Sequence, residues 1–355
     1  MNNMLITGGA GFIGSNFVRH ARASNPDVAI VVLDLFTYAG NRASLDGIAD
    51  IEIVEGDIRD TGLVRKLLGD RSLTTIVHFA AESHVDRSIE GPDAFVETNI
   101  VGTHSLLKAA KAEWIEKGTG RPHRFHNIST DEVFGSLEPD APAFSETTPY
   151  SPNSPYSASK ASADHLVRAY HHTFGLETTT TNCSNNYGPY QFPEKLIPLF
   201  IIRALHGEPL PIYGDGMNVR DWLHVEDHCR AINDCLQLGV NGETYNIGGG
   251  EELPNMTVVD SICMAVDRAF ESDPDLARRY PNAPPASGRP CSELKAFVED
   301  RKGHDRRYAI DERKARADLG YVPQHDFFSG LQETVTWYLG REDWWRPLRR
   351  GRASK

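Results

Sequence analysis

The segment that most narrows what this chain can fold into is MLITGGAGFIGSNFVRHARAS. A short apolar run enters a turn carrying Gly8, Gly11 and Gly14 and leaves it as an amphipathic helix. A strand, a glycine turn and a helix in that order form the first half of a βαβ unit. Glycines at this spacing let the backbone turn sharply and approach a pyrophosphate at the positive end of the helix. An ordinary tight turn would use the same glycines, so it is the flanking strand and helix that carry the argument.

The alternation continues. AIVVLD, IEIVEGD, TIVHFAA and FHNIST read as strands, with helical stretches TGLVRKLLGD and TNIVGTHSLLKAAKAEWIEKG between them and YSASKASADHLVRAYHHTFG after. The pattern predicts an α/β fold, a Rossmann-type doubly wound parallel sheet. At 355 residues the chain is long for one core. The second half is less regular and is expected to form a smaller C-terminal α/β domain, to which the resemblance given below assigns the substrate. The expected division gives residues 1–182, with a segment of about 223–248 returning to the first sheet, to the cofactor, and residues 183–222 and 249–355 to the substrate. Pro281 to Pro290 reads as a surface loop, and RPLRRGRASK as a solvated basic tail.

The formal net charge of −12 argues against nucleic acid or an anionic membrane as partner. No apolar run reaches the length of a membrane span, and MNNMLITGGAG shows no secretory pattern. The five cysteines are scattered without a CxxC pair, so neither a metal site nor a disulfide framework is expected. Reduced thiols in a cytoplasmic protein are the expectation.

Asp34 ends the second strand, twenty residues past Gly14. A carboxylate there accepts hydrogen bonds from a ribose 2′-OH and repels a 2′-phosphate, which favours NAD over NADP; the plain alternative is a solvated loop residue. Asp57, in EGDIRD, is placed to reach the adenine amino group and fits a turn-forming Asp equally well. Tyr156 and Lys160 in YSASK share a helix face. An ammonium beside a phenol lowers its pKa and makes the Tyr a usable base. Tyr-x-x-x-Lys alone is mostly a surface pair; downstream of a dinucleotide loop and the pair Ser129–Thr130 it is far more specific. In ISTDEVFGS, Asp131 and Glu132 stand side by side after a buried strand. A dehydrogenase or 4-epimerase has no task for both. Elimination of water from a β-hydroxy ketone does: one group removes the proton α to the carbonyl, the other protonates the departing hydroxyl, and like charges push the two pKa values apart. The alternative is that one carboxylate caps the next turn and the other faces water.

These motifs resemble the extended short-chain dehydrogenase/reductase family. The longer runs STDEVFG, AAESHVDRS, SPYSASKASADHLV, CSNNYGPYQFPEKLIP, IYGDGMNVRDWLHVEDH and GHDRRYAID are similar to its dTDP-glucose 4,6-dehydratase branch, from residue 4 to about 345. The resemblance implies a cytoplasmic hydro-lyase of deoxysugar biosynthesis that uses NAD catalytically and takes dTDP-glucose as substrate. It implies that Tyr156 is the base for oxidation at C4, that Glu132 takes the C5 proton and that Asp131 protonates the C6 hydroxyl. Thr130 would bond the C4 oxygen and Lys160 would orient the nicotinamide ribose. Phe12, Ile13, Thr37, Ile58, Ala80, Ala81, Ser83, Thr98 and Asn186 would complete the NAD site begun by Gly8, Gly11, Gly14, Asp34 and Asp57. Asn185, Lys195, Leu196, Pro211, Ile212, Tyr213, Arg220, Asn255, Asp300 and His304 would line the nucleotide-sugar pocket with Ser83, Thr130, Asp131 and Glu132. Lys195 and Arg220 suit a diphosphate; standing alone, each would read as a surface cation. Phe134 replaces the usual Tyr, and Lys302 the usual uncharged residue before GHDRRY. The resemblance further implies a homodimer through a helix bundle. For it, 98–116 and 156–174 offer apolar positions (Leu106, Leu107, Ala110, Trp114; Leu166, Val167, Tyr170) on more than one side; the alternative is one wide stripe serving only the core. Competing readings are a dehydratase for a UDP or GDP sugar, a 4-epimerase, and an inactive sensor of NAD and nucleotide sugar.

Overall fold

The computed structural model describes residues 3–118, 120–300 and 304–350. Lys302 and the last five residues of the basic tail lie outside the described residues. The strands are β1 (Met4–Thr7), β2 (Ile30–Asp34), β3 (Ile51–Glu55), β4 (Thr75–His78), β5 (Arg124–Thr130), β6 (Thr178–Cys183), β7 (Asn185–Tyr187), β8 (Leu210–Tyr213), β9 (Val219–His224), β10 (Thr244–Ile247), β11 (Glu252–Pro254) and β12 (Lys295–Val298).

Seven of them form one parallel sheet in the order β10-β6-β5-β4-β1-β2-β3. Period-two alternation of β1 explains why both faces are covered. Met4 and Ile6 point into one apolar layer with Phe17, Val18, Val225 and Ile232. Leu5 points into the other with Val64, Leu67, Leu106, Leu107 and Val167. The chain runs from β1 to β2 on one side and to β4 on the other. That reversal opens a crevice beyond the carboxyl ends of β1 and β4, the usual ligand position in such sheets. The strand expected to rejoin the sheet does so: β10 pairs in parallel with β6, Tyr245 opposite Thr181.

β7 and β11 flank β9 in a three-stranded sheet, and β8 pairs with β12. They pack with the helices Leu196–His206, Asn255–Ser272 and Phe327–Gly340 around a separate core of Ile201, Leu205, Ile262, Val266, Leu331 and Trp345.

The expectation for the tail changes here, while the proline-rich stretch is largely a surface loop as expected. The basic tail is not simply solvated. Its first residues close the helix Glu342–Arg350, where Arg346 pairs with Glu342 and Arg349 with Glu208. The adjoining Trp344 and Trp345 are buried and pin that helix to the core. The proline-rich loop is exposed at both ends but buries Ala283 and Pro284 around a 3₁₀ turn, Pro284–Ser287. The apolar positions named for a dimer face are buried or partly buried against the sheet in one cluster, so they serve the core. Val96, Val101 and Phe174 remain exposed on the same helices.

Candidate active site

Two cavities meet beyond the strand ends. The first, of about 310 Å³, is lined by every residue expected to hold the dinucleotide, from Gly8 to Asn186. Gly8 has φ +69°, and a Cβ there would lie 2.5 Å from the Ala80 amide nitrogen. A Cβ on Gly14 would lie 2.3 Å from the Gly8 carbonyl oxygen. Gly8 and Gly14 therefore leave no room for side chains where the backbone turns, and the helix Phe12–Ser24 opens onto this loop with no side chain capping its first turn. Its free amides and positive end suit a pyrophosphate. Asp34 closes the other side. Its two oxygens accept from the Ala10 and Phe36 amides at 2.9 and 2.8 Å, and burial raises its pKa. A carboxylate keeps lone pairs for further donors, so the arrangement fits an unphosphorylated ribose. Asp57 lines the cavity and also makes the local turn, accepting from the Arg59 amide at 2.8 Å and pairing with its guanidinium at 2.7 Å. Both readings of Asp57 describe the same residue.

The second cavity, of about 270 Å³, is lined by Leu196, Pro211, Ile212, Tyr213, Arg220, Asn255 and His304. Ser83, Glu132, Asn185, Asn186 and Lys195 line both cavities and mark where they join. Arg220 is buried, with its guanidinium 4.2 Å from the Tyr308 ring centroid and donating to the carbonyls of Val219 and Asp305 at 2.7 and 2.8 Å. Lys195 Nζ donates to the Ser83 carbonyl at 2.9 Å. Asp300 does not line the cavity; it holds His304 through Oδ1, 2.6 Å from Nδ1. Trp222, Asp305 and Tyr308 also line this cavity; they lie in the runs RDWLHVEDH and GHDRRYAID, but no site role was assigned to them from the sequence.

At the junction, β5 ends in Thr130, whose hydroxyl caps a 3₁₀ turn, Asp131–Phe134, by accepting from the Glu132 amide at 3.3 Å. Phe134 holds that turn, stacked on Phe144 at 5.1 Å. Asp131 is 1% exposed. Burial, then Glu132 and Asp221, raise its pKa well above the ordinary carboxylate value, against a smaller opposing pull from Arg220. Like charge is thus a secondary cause and desolvation the first. Oδ1 lies 3.3 Å from the Thr130 hydroxyl, and Oδ2 is buried without a hydrogen-bond partner. Burial without a partner disfavours the charged form of such a carboxyl and favours the form that carries a proton.

Tyr156 and Lys160 share the buried face of the helix Pro155–Phe174, whose start is fixed by a capping box between Ser154 and Ser157. The expected lowering of the phenol pKa by Lys160 is not found in the protein alone. Burial, Glu132 and Cys183 raise Tyr156 well above its ordinary value, and only a hydrogen bond with Thr130 opposes them. Lys160 instead donates to the Ile128 carbonyl at 2.7 Å and faces Asp164. Asp164 was missed by the sequence reading. It accepts from Asn127, Ser129 and Tyr150 at 2.7, 2.6 and 3.1 Å and ties the lysine's helix to β5. The signal was present: 156, 160 and 164 are successive i+4 positions.

Outside both cavities, His224, Glu226 and His325 bring possible ligand atoms within 4.8 Å of one another. The two rings stack at 4.0 Å, His224 Nδ1 accepts the Glu226 amide and His325 Nδ1 bonds Asp227, so these groups serve as a helix cap and a strut. All five cysteines are buried and unpaired. Among the described residues no helix is long and apolar enough to cross a membrane.

Residues 5–334 match the family model described as GDP-mannose 4,6 dehydratase. The chain is 53% identical over 349 residues to a dTDP-glucose 4,6-dehydratase of Xanthomonas campestris, covering 97% of this chain and 95% of the relative. Among solved structures it is similar to DesIV, a dTDP-glucose 4,6-dehydratase from Streptomyces venezuelae with NAD and dTDP bound. That match has TM-score 0.85 and 47% identity and covers 98% of this chain and 100% of the other. It is also similar to dTDP-glucose 4,6-dehydratase from Bacillus anthracis in complex with NAD, with TM-score 0.83, 43% identity and coverage of 98% and 99%.

Proposed function

Because the chain belongs to the dTDP-glucose 4,6-dehydratases, within the wider family of GDP-mannose 4,6 dehydratase, we propose that the residues where the two cavities join divide that reaction among themselves. The protein is an NAD-dependent hydro-lyase that converts dTDP-glucose to dTDP-4-dehydro-6-deoxyglucose and water. NAD supplies the redox chemistry, taking hydride from C4 and returning it to C6, so it is regenerated in each turnover. Tyr156 accepts the C4 hydroxyl proton, and Thr130 holds that oxygen. Lys160, oriented by the Ile128 carbonyl and Asp164, positions the cofactor ribose. Glu132, which reaches both cavities, takes the C5 proton. Asp131 gives its proton to the departing C6 hydroxyl. Arg220 and Lys195 hold the diphosphate. Residues 1–182 and about 223–248 serve the cofactor, and 183–222 and 249–355 the nucleotide sugar.

The observation that carries this reading is the placement of Asp131, a fully buried carboxyl with one oxygen unpartnered, beside Glu132 at the cavity junction. An epimerase would leave that pair idle. The test is purified protein with dTDP-glucose and no added NAD, followed by NMR. A new C6 methyl signal is expected. No methyl signal, with or without added NAD, sinks the reading, and UDP- and GDP-sugars as substrates would then decide between the neighbouring dehydratases.

Asp131→Asn separates the steps and carries a pH signature. C4 oxidation should survive, while elimination slows by about 10²–10⁴-fold, the usual contribution of a positioned acid. The folded pKa of Asp131 lies above its unfolded value of about 3.8, so the folded state binds the extra proton and wild-type stability falls as pH rises between the two values. Asn cannot ionise. The variant should therefore melt above wild type at neutral pH, with the gain vanishing in acid. Equal melting temperatures at every pH would mean that the carboxyl is not strained.

The protein is further proposed to be a cytoplasmic homodimer. Val96, Val101 and Phe174 are exposed apolar side chains on the helices beside the sheet that a second copy could cover. A monomer by sedimentation at micromolar concentration would sink the dimer.

A further inference from the structure

Three segments that follow three different strands meet at the wall of the first cavity. Tyr38 follows β2, His84 and Arg87 follow β4, and Phe192 and Glu194 follow β7. The Tyr38 ring meets Phe192 edge-on, centroids 5.7 Å apart at 88°. The Arg87 guanidinium lies 3.7 Å from the centroid of the Tyr38 ring. Its Nη2 is 3.5 Å from Glu194 Oε2, and His84 Nε2 is 3.7 Å from the same oxygen. The Tyr38 hydroxyl also bonds Glu194, whose side chain is only 3% exposed. Tyr38, Phe192 and Glu194 line the cavity; Arg87 does not. This part of the wall is therefore not continuous chain. It is a set of side-chain contacts between segments distant in the sequence.

We propose that Tyr38, Arg87, Phe192 and Glu194 form a clasp that keeps the dinucleotide in its cavity between the two halves of the reaction, an inference that rests on the NAD-dependent dehydratase reading. The chemistry asks for such a device. The hydride taken from C4 must return to C6 of the same sugar, so a cofactor that escaped in between would strand the intermediate. Glu194 is the hub: one buried carboxylate draws on a phenol, a guanidinium and an imidazole carried by two other segments. Arg87 is the pin, because its one cation serves both the aromatic face and the carboxylate.

Arg87→Ala tests the clasp without touching the cavity lining, and at 43% side-chain exposure its truncation should leave the fold intact. Holoenzyme of wild type, Arg87→Ala and Arg87→Lys is diluted into excess competing dinucleotide, and released NAD is followed by chromatography. Release from Arg87→Ala is expected to be roughly tenfold faster or more, since a cation–π contact and a charged hydrogen bond are lost. Arg87→Lys, which keeps the cation, should restore most of the retention. At saturating NAD, kcat of Arg87→Ala should equal that of wild type. Release at the wild-type rate overturns the clasp, as does a fall in kcat at saturating NAD with release unchanged. If all three proteins fail to dehydrate dTDP-glucose, the dehydratase reading fails instead, and the release rates still report on the clasp.

Discussion

Glu132→Gln, given dTDP-glucose, should convert its bound cofactor to the reduced form and hold it there. Gln has nearly the shape of Glu but cannot take the C5 proton, so water elimination stops after C4 oxidation. Overall turnover should fall by about 10²–10⁴-fold, the range for loss of a positioned base. The near-ultraviolet absorbance of reduced nicotinamide should rise in a single phase and persist, with the 4-keto sugar recoverable from the denatured protein. The neighbouring groups add a sign. The Glu132 charge helps raise both Tyr156 and Asp131; without it both pKa values drop. The reduction phase should therefore extend to lower pH in Glu132→Gln than in wild type. Normal turnover in this variant would remove Glu132 from the base role.

Tyr156→Phe should fail one step earlier, with the cofactor remaining oxidised. The ring and its burial are preserved, and Phe95 still packs edge-on to it at 6.4 Å, so loss of fold is not the expected cause. The C4 hydroxyl proton has no acceptor as hydride leaves, and single-turnover reduction should slow by about 10²–10⁴-fold. Asp131 and Glu132 remain in place but have no ketone to act on. A burst of reduced nicotinamide in this variant would overturn the assignment. Together the two variants order the steps: one stalls after the first hydride transfer, the other before it.

Much of this was legible in the amino-acid order. The strand–glycine–helix start and the alternation after it pointed to the parallel sheet, because period-two and period-3.6 apolar patterns bury faces that only a layered α/β fold can cover. The helices 12–24 and 61–70 were bounded correctly by pattern. Asp34, Tyr156, Lys160 and the Asp131–Glu132 pair were singled out by local spacing, since each sits in a short motif on a single element, and the fold brings them all to the wall of one cavity. What local spacing cannot report is what approaches from elsewhere in the chain. The phenol of Tyr156 was expected to be eased by Lys160, four residues away. Folding surrounds it instead with Glu132 and Cys183 from other segments and removes water, and the direction reverses. Asp131 was expected to be raised by its neighbour in sequence; the larger cause is desolvation, with Asp221 adding from ninety residues on. The tail was read as solvated because its charges are local and visible, whereas the burial of Trp344 and Trp345 that docks it is not. Sequence by itself determined the fold class, the cofactor loop and which side chains are candidates for the reaction. Only the tertiary structure decided the direction in which burial pushes their acidity, the joining of the two cavities at Glu132 and the contacts across the cofactor wall, because those depend on distance in space and exclusion of water, neither of which a linear order contains.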